Sequence, residues 1–312
     1  MPGKPYISII IPVYNEEGNL QPLFDRLYPV MQKIGKPFEI IFTDDGSRDR
    51  SLDILKRLAE AYPEIKVVEF NGNFGQHMAI LAAFEMSGGD IVITLDADLQ
   101  NPPEEIPKLV SEVEKGHDVV GTVRQNRQDT LFRRLASRIV NITTNKMTGM
   151  RMSDYGCMLR AYHRDVIDNI NCCQETTTFI PALAQTFASN PSEVEVAHAE
   201  RAEGESKYSL YRLVRLNFDL MTGFSVVPLQ LFALMGIVTS LFSVLFALLL
   251  LVRRFIIGAE VEGVFTLFAI LFFFIGIIIF GIGLVGEYVG RIYQEVRRRP
   301  RYVVRRTHGF GE

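Results

Sequence analysis

The sequence predicts an α/β protein: a mostly parallel sheet with helices on both faces, followed by interfacial helices and a two-helix transmembrane hairpin. Three observations carry this. Short β-branched runs alternate with amphipathic helical spacing through the first half of the chain. Acidic pairs stand just past two of those runs, at Asp44-Asp45 and Asp96-Asp98, where an open parallel sheet binds its ligands. The last third holds two long stretches without a charged side chain, Leu220 to Val252 and Gly263 to Gly286.

The elements follow in order. Tyr6 to Val13 reads as a strand, and Asn15 with Glu16, Glu17, Leu20, Leu23 and Leu27 as a capped amphipathic helix. Phe38 to Phe42 is the next strand, running into Thr43-Asp44-Asp45-Gly46-Ser47. Leu52, Leu55 and Leu58 restore helical spacing, and Lys66 to Phe70 returns to strand. Asn73 to Gly75 is a turn before an apolar helix around Ala79 to Phe84. Asp90 to Leu95 is a buried strand ending at Asp96-Ala97-Asp98, and Pro102-Pro103 open a helix containing Ile106, Leu109 and Val113. Val119 to Gly121 close another strand.

The stretch from Gly263 to Gly286 would be about 36 Å long as a helix, enough for roughly 30 Å of hydrocarbon. The first stretch is too long for one straight span, so a break near Pro228 is expected, with the membrane helix starting at Leu229. Two such runs so close together read as a hairpin rather than as buried helices of a soluble core. The expected organisation is a catalytic domain over 1–200, an interfacial segment over 201–228, and a hairpin over 229–286 with spans at 229–252 and 263–286. An interfacial helix and basic tail then occupy 287–312. Lys207, Arg212 and Arg215 precede the first span, and Arg291, Arg297, Arg298, Arg299, Arg301, Arg305 and Arg306 follow the second. Arg253 and Arg254 between the spans are offset by Glu260 and Glu262, so the catalytic domain and both ends are expected in the cytoplasm. The polar N-terminus has no signal-peptide pattern. Cys157, Cys172 and Cys173 lack metal-ligand spacing and read as reduced thiols.

No G-x-G-x-x-G or Walker motif follows the strands, which argues against a dinucleotide or P-loop site. Asp96 and Asp98, beyond an apolar strand, can direct oxygens to a divalent cation that offsets nucleotide phosphates; their bland reading is a solvated turn or a cap. Of Asp44 and Asp45, one can accept from a nucleobase or ribose while the other orders the turn. Gly121 to Asp129, with Arg124 and Arg127, resembles a phosphate-gripping loop leading to a basic helix at Arg133, Arg134 and Arg138; the alternative is a solvated helix face. Asp154 could orient a nucleophile or a sugar. Arg201 and Lys207 stand where either donor phosphates or an anionic lipid head would meet them. The basic residues collect near the membrane with no aromatic-interleaved track, which argues against nucleic acid.

Pro12-Val-Tyr-Asn-Glu16, Asp44-Asp-Gly-Ser47, Asn73-Phe-Gly-Gln76, Asp96-Ala-Asp-Leu-Gln100 and Arg201 through Lys207 occur together in one order. On these motifs the chain resembles the polyisoprenyl-phosphate glycosyltransferases of GT-A fold, in glycosyltransferase family two. The resemblance covers nearly the whole chain, hairpin included. Gly121 to Asp129, Asp154 to Tyr162 and Gly286 to Tyr293 are most similar to one branch of that family. Its donor is UDP-4-deoxy-4-formamido-L-arabinose and its acceptor undecaprenyl phosphate, on the route to lipid A modification and cationic peptide resistance. The resemblance implies uridine near Pro12, Tyr14, Glu16 and Asp44, with the diphosphate and Mg²⁺ or Mn²⁺ near Asp96, Asp98 and Gln100. It implies a catalytic carboxylate at Asp154, and phosphate contacts from Arg124, Arg127, Arg201 and Lys207. It further implies inverting transfer, a homotetramer, and residence in a bacterial inner membrane. The alternatives are transfer of glucose or another hexose to the same lipid phosphate, and a membrane nucleotide-sugar binding protein without turnover. The absence of Q-x-x-R-W and the small hairpin favour one sugar per lipid over a polymer.

Overall fold

Strand β1 (Ile7–Val13) is a run of isoleucines buried on both faces, which makes it the centre of the sheet. Around it the computed structural model, which describes residues 4–124, 157–173, 179–197, 227–257, 264–297 and 299–310, builds one eight-stranded sheet. In chain order the elements are α1 (Leu20–Ile34), β2 (Phe38–Asp44), α2 (Ser51–Ala61), β3 (Ile65–Phe70), α3 (Gln76–Met86), β4 (Ile91–Thr94), α4 (Ile106–Glu114) and β5 (Val119–Arg124). They continue with β6 (Arg160–His163), α5 (Arg164–Cys172), α6 (Ile180–Phe187), β7 (Pro191–Val196), α7 (Val227–Ile257), α8 (Val264–Val296) and β8 (Val304–His308).

The strand order is β7-β5-β6-β4-β1-β2-β3-β8. The ladders β1·β2, β1·β4, β2·β3 and β5·β7 are parallel, whereas β6 runs antiparallel between β4 and β5, and β8 antiparallel beside β3. Period-2 alternation divides the core between the two faces. Ile9, Ile11, Ile40 and Phe42 pack with residues of α1 and α4, while Ile10, Ile41 and Val92 pack with α3 and α5. Helix α3 is buried continuously from Ala79 to Phe84, as an apolar helix between layers should be.

Several boundaries differ from expectation. Asn15 is not the cap of the first helix: α1 begins at Leu20, and Asn15 sits at φ 55°, binding the next loop instead. Asparagine is one of the few residues that tolerate this left-handed region. The strand expected to end at Gly121 runs on to Arg124, because its pairing with β7 continues to Val196.

By chain contacts Met1–Leu210 and Arg299–Glu312 form one unit and Tyr211–Arg298 the other. In the second unit α7 covers Val227–Ile257 and includes Pro228, near which the sequence predicts a break; the residues before Val227 lie outside the described ones. With 31 and 33 residues, α7 and α8 are about 46 and 50 Å long and apolar enough to cross a membrane. Phe242, Leu245, Phe272 and Ile282 along them are exposed, unlike side chains of a soluble core within this chain. Gly281 lets the pair approach: a Cβ there would fall 2.0 Å from the Phe232 ring.

The segment 287–312, expected as an interfacial helix and a basic tail, divides into a helical part and a strand. Residues 287 to 296 continue α8, helped by an Arg291–Glu287 ion pair of 2.8 Å one turn apart. Residues 304 to 308 rejoin the first unit as β8.

Candidate active site

The sheet reverses its winding between β1 and β4: β2 and β3 extend one way from β1, β4 and its neighbours the other. In open α/β sheets the crevice at that reversal, beyond the carboxyl ends of the strands, is the ligand site. Register places Asp44 beside Val13, Thr94 beside Ile10, and the Leu95 N–H on the Ile10 carbonyl at 2.9 Å. The carboxyl ends of β2, β1 and β4 therefore present Asp44, then Tyr14, then Asp96 side by side.

Asp44 ends β2, buried. Its Oδ2 accepts the Ser47 N–H at 3.3 Å, while Oδ1 is buried with no hydrogen-bond partner. A native protein rarely leaves such an atom orphaned, which makes Asp44 Oδ1 a candidate acceptor for a ligand donor. Burial pushes the Asp44 carboxyl above the usual carboxylate range, against hydrogen bonds from Ser47 that pull it down. Tyr14 is exposed and Pro12 half-buried just before it.

The loops after β1 and β2 brace each other. Asn15 N–H donates to Ser47 Oγ (3.0 Å), Arg48 N–H to Asn15 Oδ1 (2.8 Å), Glu16 N–H to Ser51 Oγ (2.9 Å) and Glu17 N–H to Asp49 Oδ2 (3.1 Å). Glu16 Oε2 accepts from Asn19 Nδ2 at 2.6 Å, so this carboxylate shapes its own loop.

Asp45 has a different task. Its two oxygens accept the N–H groups of Phe74 (2.6 Å) and Gly75 (2.9 Å), and its own N–H donates to the Val13 carbonyl at 2.8 Å. Burial raises the Asp45 carboxyl too, opposed by those two N–H groups. Of the acidic pair, Asp44 is thus the one with an oxygen to offer.

Across β1, Asp96 and Asp98 flank buried Ala97, and both are partly exposed. Gln76 Nε2, at the start of α3, donates to Asp96 Oδ1 at 2.7 Å; Gln100 N–H donates to Asp98 Oδ1 at 3.2 Å. Leu99 between them sits at φ 61°, a conformation costing a leucine roughly 1–2 kcal/mol and one that collects at functional turns. Two carboxylates on a braced turn are hard oxygen donors of the kind that Mg²⁺ or Mn²⁺ takes, with further positions left to phosphate or water. Among the described residues no group of three or more His, Cys, Asp or Glu converges.

Arg124 ends β5, with its side chain outside the described residues; Arg127, Asp154, Arg201 and Lys207 lie outside them altogether. Sequence reasoning gave no role to Gln76 beyond its place in a motif. The signal available was an amide opening the helix after a glycine turn.

The fold is that of the GT-A glycosyltransferases. The chain belongs to glycosyl transferase family 2, whose profile matches residues 8–170. It is 54% identical over 304 residues to an undecaprenyl-phosphate 4-deoxy-4-formamido-L-arabinose transferase of Pectobacterium atrosepticum, covering 96% of this chain and 93% of that one. A protein of the same name from Pseudomonas paraeruginosa is 52% identical over 311 residues, 97% of this chain and 92% of that one. Among solved structures, glucosyl-3-phosphoglycerate synthase of Mycobacterium tuberculosis, in complex with Mn²⁺, UDP and phosphoglyceric acid, shares the fold. Its TM-score is 0.52 at 15% identity, over 70% of this chain and 76% of that one.

Proposed function

We propose that this enzyme transfers 4-deoxy-4-formamido-L-arabinose from its UDP donor to undecaprenyl phosphate, supplying lipid A modification and resistance to cationic peptides. The observation that carries UDP-sugar transfer is the pair of acidic strand ends flanking β1, with the orphaned Asp44 Oδ1 on one side and Asp96 and Asp98 on the other. The sugar rests on the 52–54% identity to transferases of that name along nearly the full chain.

In this reading Asp44 Oδ1 accepts a uracil or ribose donor beside Pro12, Tyr14 and Glu16. Asp96 and Asp98, with Gln100, would hold Mg²⁺ or Mn²⁺, which would supply charge stabilisation for the departing UDP. The acceptor phosphate oxygen attacks the anomeric carbon from the face opposite UDP. A carbon–oxygen bond to the lipid phosphate forms, the bond to UDP breaks, and the configuration inverts. A phosphate monoester has a second pKa of about 6, so the nucleophile is largely ionised at neutral pH and needs little help from a base. Asp154 orients that phosphate or takes its last proton, and Arg124, Arg127, Arg201 and Lys207 grip donor and acceptor phosphates. The helices α7 and α8 hold the enzyme, as a homotetramer, in the bacterial inner membrane with the catalytic domain and both ends in the cytoplasm.

The test is transfer by purified protein to undecaprenyl phosphate from UDP-4-deoxy-4-formamido-L-arabinose, its unformylated counterpart and UDP-glucose, with mass analysis of the lipid. The formamido-arabinose lipid alone is expected. A glucose lipid would keep the fold and mechanism and overturn the sugar; donor binding without any product would make the chain a binding protein.

Asp44→Asn gives a second expectation. Because the folded carboxyl is raised, keeping it ionised costs stability above its folded value, and that cost disappears as pH falls below it. The variant should be as stable as wild type or more so at pH 7, with the advantage lost on acidification. Its UDP affinity, measured by calorimetry, should drop about tenfold or more, the weight of a hydrogen bond to a charged group. Unchanged UDP affinity would remove Asp44 from the nucleotide site.

A further inference from the structure

The loop between β3 and α3 is held from two sides, and its far end touches Asp96. From one side Asp45 takes the N–H groups of Phe74 and Gly75. Gly46 permits the approach, since a Cβ there would lie 2.6 Å from the Gly72 carbonyl carbon. From the other side comes the tail that follows α8. The Asn71 N–H donates to the Val303 carbonyl at 2.9 Å, and Tyr302 stacks on Phe70 with ring centroids 5.1 Å apart and planes 11° from parallel. Phe70 in turn meets Phe74 edge-on at 5.6 Å. Gly75, at φ 97°, then turns the chain into α3, and the first helical residue, Gln76, reaches Asp96.

We propose that residues 71–76 are a positioning element of Asp96, clamped between Asp45 and the C-terminal tail, so that Gln76 and Tyr302 help set how strongly a divalent cation and UDP bind together. This rests on the reading of Asp96 as a cation and diphosphate carboxylate. The physical content is orientational. An amide N–H on Oδ1 fixes the carboxylate plane, and the clamp fixes the amide. Tyr302 touches no reacting group; it acts through its stack on Phe70 and through its hydroxyl, which meets Glu85 of α3.

Contact alone does not establish coupling, so the test measures it. Full-length protein is titrated with UDP by calorimetry, with and without Mn²⁺, for wild type, Gln76→Leu, Tyr302→Leu and the double variant, each with a thermal unfolding curve. Wild type should bind UDP more tightly with Mn²⁺. Gln76→Leu should cut that Mn²⁺-dependent gain by roughly five- to tenfold while leaving metal-free UDP affinity intact. Tyr302→Leu should cut it by roughly threefold, and the double variant should lose less than the product of the two. A general structural role would instead lower metal-free and Mn²⁺-assisted affinity alike, and that result would overturn the proposal, as would a wild-type gain in both single variants. Absence of any Mn²⁺ gain in wild type would overturn the cation reading of Asp96 and this inference with it.

Discussion

Asp96→Asn is expected to lower the rate of sugar transfer by about 10³-fold, the scale seen when one group that stabilises developing charge is removed. The substitution keeps the size of the side chain and an oxygen able to accept from Gln76, so the loss reports the missing charge rather than a gap. Asp98→Ala should lose cation-dependent transfer while keeping the fold, since Ala97 rather than either aspartate supplies the buried contact at this turn. The measurement is initial rate against Mg²⁺ and Mn²⁺ concentration, with unfolding temperature as the control for folding. A rate and metal dependence equal to wild type in either variant would remove that carboxylate from the cation site.

The second large effect is on stability and lies at the other side of the sheet. Deleting residues 299–312 should lower the unfolding temperature of the catalytic unit by about 10 °C and make it prone to aggregate. The deletion strips β8 from β3, leaving an open strand edge with apolar Val67, Val68 and Phe70 along it. It also removes the Tyr302 stack, the cation–π contact of Lys66 with Phe310, and the contacts of Arg305 and His308 with buried Glu69, which keeps Lys56. A loss of ~3–5 kcal/mol from that many contacts, at 2–4 °C per kcal/mol for a domain of this size, gives the figure.

Glu69→Gln isolates the charged part. Burial would raise this carboxyl, but hydrogen bonds from Lys56 and His308, with the Lys56 and Arg305 charges, outweigh it and hold it below the usual range. A depressed folded value contributes stability that is fully present above the unfolded value and is lost as pH falls through the folded one. The wild-type advantage over Glu69→Gln should therefore be complete at pH 7 and vanish in strong acid, as followed by thermal unfolding across pH. An advantage independent of pH would mean the glutamate acts through packing alone.

Much of the site was legible because its chemistry sits at strand ends that local alternation reveals. Ile7 to Val13, Phe38 to Asp44 and Ile91 to Thr94 are dense apolar runs, and the acids that follow each stop are visible without any tertiary knowledge. What was hidden had no local signature. Asp45 looks like Asp44 in sequence, yet its oxygens are taken by backbone N–H groups that any residues at 74 and 75 would provide. Asn15 looks like a helix cap and is a left-handed brace, because the partner that captures it, Arg48, is 33 positions away. Gly121 to Arg124 looked like a loop because the strand partner that extends it, β7, comes after the intervening chain.

The amino-acid sequence by itself determined the alternating core, the acidic strand ends and the two apolar helices, since these follow from side-chain periodicity and hydropathy within a few turns of chain. Only the tertiary structure decided that β6 and β8 run antiparallel, that Asp45 serves a loop while Asp44 Oδ1 stays without a hydrogen-bond partner, and that the tail beyond α8 returns to the sheet. His308 and Glu69 meet 239 residues apart. Such pairings are set by which backbone edge remains unfilled once the core has packed, and neither composition nor period records that.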